Sequence, residues 1–222
     1  MSAEAGWLAL RLEGPLQAWG ADSQYNRRGT GLMPTKSAIA GMCCAALGHE
    51  RGSEEERAFL AAFAGLRMTV LAGTRESRSG KATMGRLDDY HTVQNTLKAD
   101  GKTKDCHITH RQYLTDAAFA VLLNGALGLV REIAAGLADP RWGIWLGRKA
   151  CIPSAPVLVG VFDARDDALR ELIGDRPLDS FTRQEEVEQF SDGKDSLPDQ
   201  AISFLSSRRE FAPRRVRTMP GR

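Results

Sequence analysis

Between Trp7 and Phe162 the strongly periodic segments succeed one another as strand, helix, strand, strand, helix, strand, and that order restricts the fold more than any other feature of the chain. Trp7, Leu8, Leu10 and Leu12 form an apolar run that ends at Gly14-Pro15. Thr35 can cap a helix from Lys36 to Leu47 that stops at Gly48. Ser53-Glu54-Glu55-Glu56 is a capping-box pattern opening a shorter helix through Phe59, Leu60 and Phe63 to Gly65. Leu66–Leu71 and Leu114–Leu123 read as strands. Leu127, Val130, Ile133, Ala134 and Leu137 recur at helical spacing until Pro140, and Val157–Phe162 is a last strand. The order predicts an α+β fold of ferredoxin-like or RNA-recognition type, with two helices on one face of an antiparallel sheet and the other face free. Residues 74–112, between the second and third strands, are polar and poor in core formers, and a connection of that length more often binds something than fills space.

A chain of 222 residues can bury a real core without a disulfide staple. Its four cysteines, at 43, 44, 106 and 151, give no paired framework and fit a reducing compartment. With no signal core and no run of 18 apolar residues, neither secretion nor membrane spanning is expected, and the chain is read as cytoplasmic. The net charge of +2 hides opposed patches: residues 1–159 carry +4, residues 160–200 carry −7 and residues 201–222 carry +5. Of 30 basic residues 23 are arginine, whose planar fork suits phosphates and base stacking, although a codon bias would produce the same ratio.

Three constellations bear on chemistry. The loop from Gly14 to Lys36 runs from a strand end into a helix start and carries Arg27, Arg28 and Lys36, so free amides at the helix start would face the same side as three cations. It is no ATP loop: in the GxxxxGKS frame ending at Ser37 both glycines are replaced, by Thr30 and Thr35. The second constellation is Lys104 to Tyr113. Cys106, His107 and His110 fall one ligand short of a zinc site. His107, His110, Tyr113 and Lys104 supply the residue types of a metal-independent ribonuclease, and equally those of a surface where His107, His110 and Arg111 hold an unstacked base. In the third, Gly147 would let the backbone approach a ligand while Arg148 and Lys149 grip phosphate. Trp142 and Trp145 fit core or interface anchors better than stacking platforms. Trp19 fits core packing and base contact equally, and the tail from Arg208 to Arg217 fits either RNA contact or subunit docking.

Leu12-Glu13-Gly14-Pro15-Leu16-Gln17-Ala18-Trp19-Gly20, Arg28-Gly29-Thr30-Gly31 and Pro34-Thr35-Lys36-Ser37 are followed in order by Asp89-Tyr90-His91-Thr92-Val93, Arg111-Gln112-Tyr113-Leu114-Thr115-Asp116-Ala117 and Leu146-Gly147-Arg148-Lys149-Ala150-Cys151. In these stretches the chain resembles the CasD-type subunits of type I-E CRISPR Cascade complexes, members of the RAMP superfamily. The resemblance implies a ferredoxin-like RAMP domain over 1–162, with a thumb at about 74–112 between strands two and three, and a small β-rich lobe over 163–222. It further implies a non-catalytic subunit that caps the 5′ handle of crRNA and docks the neighbouring backbone subunit through the thumb. The other expected partners are the large subunit and, through the complex, target DNA. No metal, organic cofactor or membrane is implied. The residues expected to meet RNA are Gln17, Trp19, Arg27, Arg28, Thr35, Lys36, Ser37, His107, His110, Arg111, Arg148 and Lys149.

Overall fold

The structure, a computed structural model, describes residues 4–221 except 21, 22, 25, 74, 78, 79, 83 and 99. The chain runs through β1 (Ala5–Glu13), the short β2 (Leu16–Gln17), β3 (Ser23–Gln24) and β4 (Arg27–Arg28), then α1 (Lys36–Leu47), α2 (Glu54–Ala64) and β5 (Arg67–Ala72). There follow β6 (Arg75–Ser77), β7 (Gly80–Ala82), the long β8 (Gly85–Leu97) and β9 (Thr103–Thr115), β10 (Ala118–Ala126), α3 (Leu127–Ala138) and β11 (Leu158–Phe162). The last part supplies α4 (Arg165–Ile173), β12 (Thr182–Glu186), β13 (Asp195–Ser203) and β14 (Glu210–Met219).

The main sheet is antiparallel, in the order β11-β1-β10-β5-β12-β14-β13, and its first four strands have the ferredoxin-like arrangement that the periodicities predict. α1 and α3 lie on one face, where Ile39, Cys43, Val130 and Ile133 pack with Leu8, Leu10, Leu12 and Val121. Helix ends follow the expected chemistry: the Thr35 hydroxyl accepts from the Ala38 amide, and Ser53 from that of Glu56. Gly48 closes α1 at φ 77°, a left-handed turn that glycine adopts without steric cost.

The other face is not free. Ala168, Leu169, Leu172 and Ile173 of α4 cover Ala9, Leu71, Ala120 and Leu122, and each large side chain contributes roughly 1.5–3 kcal/mol of burial before entropy. The expected boundary after residue 162 falls between β11 and α4, and the strands beyond it extend the same sheet, β12 pairing with β5 from Thr182↔Ala72 to Glu185↔Thr69. The polar excursion is a ribbon: β8 and β9 pair from Gly85↔Thr115 to Leu97↔Thr103, about 40 Å of two-stranded sheet. β9 also receives β2 at its C-terminal end, and β4 in parallel register.

Candidate nucleic-acid interface

The loop after β1 is held by its own side chains. Gln17, fully buried, donates from Nε2 to the carbonyls of Leu12 (3.0 Å) and Ala117 (2.7 Å) and accepts from Trp19 Nε1 (3.1 Å). Trp19 is buried edge-on against Phe119. These two are core and loop braces, which corrects their expected place on the RNA surface. Gly147 is likewise structural. At φ 99° its hydrogens face the Ala18 carbonyl, where a Cβ would sit 1.8 Å from the oxygen, so its close approach is to the protein's own backbone rather than to a ligand.

Lys36 is the largest departure from expectation. Its side chain is 1% exposed, and Nζ donates to Glu186 Oε1 at 2.8 Å and to the Ala64 carbonyl at 3.1 Å. Its backbone amide donates to Asp199 Oδ2 at 2.9 Å, and Arg214 holds the same carboxylate bidentately at 2.6 and 3.0 Å. Asp199 therefore occupies the position at the α1 N-terminus that a phosphate was expected to take. Buried Lys36, Arg214 and Asp199 and the half-buried Glu186 close the network. Burial draws the Lys36 pKa below its ordinary value although Glu186 pulls it up. Thr35 and Ser37 hydrogen-bond each other through their hydroxyls at 3.2 Å, with Thr35 serving as the helix cap.

Of the remaining expected residues, Arg27, Arg28, His110, Arg111 and Arg148 converge. Parallel pairing of β4 with β9 sets Arg27 beside His110 and Arg28 beside Arg111, with Arg27, Arg28 and His110 exposed. Arg148 fixes this edge: its guanidinium donates to the carbonyls of Gln112 (2.8 Å), Arg28 (2.7 Å) and Gly29 (3.3 Å) and lies 4.7 Å over the Tyr113 ring. Lys149 follows it on the surface. His107 stands apart. Alternation along β9 puts His107, Thr109, Arg111 and Tyr113 on one face of the ribbon and Lys104 and His110 on the other, where the His110 ring meets Tyr90 at 5.3 Å. Tyr113 is about 20 Å along the strand from His107, and the four residue types of a ribonuclease do not share a reacting centre.

Beside the basic edge runs a groove of about 630 Å³. Its floor is the Ser37, Ala38, Gly41 and Ala45 face of α1, and its walls are the Trp142–Arg148 segment and the Phe204–Phe211 turn. Arg28 and Arg51 stand at its rim. Among the described residues no three His, Cys, Asp or Glu side chains gather to hold a metal, and no helix is long and apolar enough to cross a membrane.

Residues 7–217 match the family model described as "CRISPR-associated protein (Cas_Cas5)". The chain belongs to the Cas5 family of CRISPR-associated proteins. It is 31% identical over 165 residues to "CRISPR system Cascade subunit CasD" of Escherichia coli strain K12, an alignment covering 72% of this chain and 73% of that protein. Among solved structures it is similar to a chain of a "CRISPR RNA-guided surveillance complex" (TM-score 0.76, 30% identity, 97% of this chain and 90% of that one). It is also similar to a second structure described as "Crystal structure of Cas protein" (TM-score 0.68, 31% identity, 96% and 95%). The Cas5 match spans the loop, the ribbon and the groove. Within it, Trp142 and Trp145, which the sequence places as core or interface anchors, and Arg209 and Phe211 of the basic tail line one groove together with Arg51, to which the sequence gives no role; they lie on separate segments, and only the fold brings them together. Their type was the available signal: large aromatics beside glycines and arginines.

Proposed function

We propose that this Cas5-family chain is the non-catalytic guide-RNA-holding subunit of a type I-E CRISPR Cascade complex, seating the 5′ handle of crRNA and docking an adjacent backbone subunit through the β8–β9 ribbon. One observation carries the RNA reading: Arg27 and Arg28 are strand-paired with His110 and Arg111 and clamped there by Arg148, which preorganises an exposed cationic edge. Phosphate contacts along such an edge give position and charge, leaving sequence reading to base pairing by the guide. The relatives described as a Cascade subunit and as a surveillance complex support this setting and make other subunits the expected neighbours. The placement of His107 and His110 on opposite faces supports holding rather than cutting, since general acid and base must both reach the same ribose and phosphate.

The test is incubation of the purified chain with CRISPR repeat RNA in EDTA, read on denaturing and native gels. Retained, intact RNA is expected, unchanged in integrity by His107→Ala or His110→Ala. Discrete products that vanish in either variant would establish the ribonuclease instead.

A further inference from the structure

We infer that the α1 groove is a stacking site for a short unpaired stretch of RNA, its bases laid against Trp142, Trp145 and Phe211. This deepens the RNA-holding reading and rests on it. The three aromatics come from two segments far apart in sequence and are 41%, 36% and 41% exposed. All three line the same groove, where flat apolar faces can meet the faces of bases. Ser37, Ala38, Gly41 and Ala45 on the α1 floor reach no further than a hydroxymethyl group, and the Phe204 ring packs over Gly41, 3.6 Å from where a Cβ would stand.

Charge argues for a nucleic acid over a peptide. Exposed Arg28, Arg51 and Arg209 stand around the opening. The two acids in the lining are buried, and of their four carboxylate oxygens Glu56 Oε1 alone has no hydrogen-bond partner among the described residues. Asp199 is held by Arg214 and the Lys36 amide, and Glu56 Oε2 accepts from the amides of Gly52 and Phe204. What the groove shows to solvent is therefore aromatic and cationic, the pairing that sequence-tolerant single-strand binders use. A volume of about 630 Å³ lies within the range of small-molecule sites and suits a base or two rather than a duplex. Arg28 belongs both to the rim and to the β4–β9 edge, so a strand leaving the groove would pass directly onto that edge.

Tryptophan fluorescence of the full chain, titrated with repeat-derived RNA and with the same strand made abasic at its 5′ handle, tests the inference. Saturable quenching by intact RNA is expected, with little quenching by the abasic strand. Trp142→Ala with Trp145→Ala should abolish the quenching, since Trp19 is buried and Trp7 lies on β1 outside the groove, and should weaken affinity roughly tenfold or more. Phe211→Ala should weaken affinity in the same direction. Trp142→Phe with Trp145→Phe, which keeps a stacking face, should retain affinity and guards against misfolding of the alanine variant. Unchanged RNA affinity in folded alanine variants would overturn the stacking site and leave the RNA-holding function standing. The same holds if those variants lose a partner subunit but keep RNA. No RNA binding by the unaltered chain would overturn both.

Discussion

Lys36 shows how a residue's apparent role changes once its partners are known. In the sequence it sits where a phosphate-binding lysine would, at the start of a helix after a glycine-containing loop, yet Glu186, 150 positions later, takes its charge. Lys36→Met keeps the apolar stem and removes the cation, leaving Glu186 and Asp199 facing Arg214 alone. Breaking one partner out of a buried ion network costs about 3–5 kcal/mol, so urea unfolding should show a loss of that size. Because the folded-state pKa of Lys36 lies below its ordinary 10.5, the unfolded chain holds more protons in the window between the two values. This residue's contribution to stability therefore rises with pH toward 10.5, and the rise should be missing in Lys36→Met. Affinity for RNA per folded molecule should change little, the opposite of what a phosphate contact would give. The local rules read correctly here: Thr35 caps, Gly48 terminates and Ser53 opens α2, because each depends only on neighbours within a few positions. Partners such as Glu186 and Asp199 leave no local trace.

At the scale of elements, the acidity of its segment hides α4 in the sequence, although Ala168, Leu169, Leu172 and Ile173 fall at helical spacing after Asp166 and Asp167 in the first turn. Charge obscured a short but regular pattern. The ribbon shows in the sequence as a polar excursion. Its residues are mostly exposed, and pairing with one partner strand, rather than an apolar face, fixes its register. Its tip contributes nothing to either core cluster. Replacing residues 94–106 by a tight turn should therefore leave the melting temperature of the chain nearly unchanged while abolishing co-purification with a Cascade backbone subunit. Loss of both would make the tip a folding element, and loss of neither would remove docking from its role.

Across the whole molecule the opposed charge patches of the sequence neutralise each other inside one sheet. Arg214 of β14 meets Asp199 of β13, and Arg217 of β14 meets Glu185 of β12, which also accepts from Arg165. Arg215 stacks 3.9 Å over Phe190. The basic tail is thus largely spent within the chain, whereas the β4–β9 edge and the groove rim gather exposed arginines from separate segments. α4 covers the sheet face that an RNA-recognition fold would leave open, so the proposed RNA contact is displaced from the sheet to its flank. That displacement is the central claim, and the salt dependence of RNA binding tests it most directly. Log affinity for repeat-derived RNA falls with log salt by about 0.7 per phosphate contact on a single strand. Arg27→Ala with Arg28→Ala should therefore make the slope shallower by roughly 1.4 while weakening binding to every sequence alike. A slope identical to that of the unaltered chain would mean that the RNA does not cross this edge.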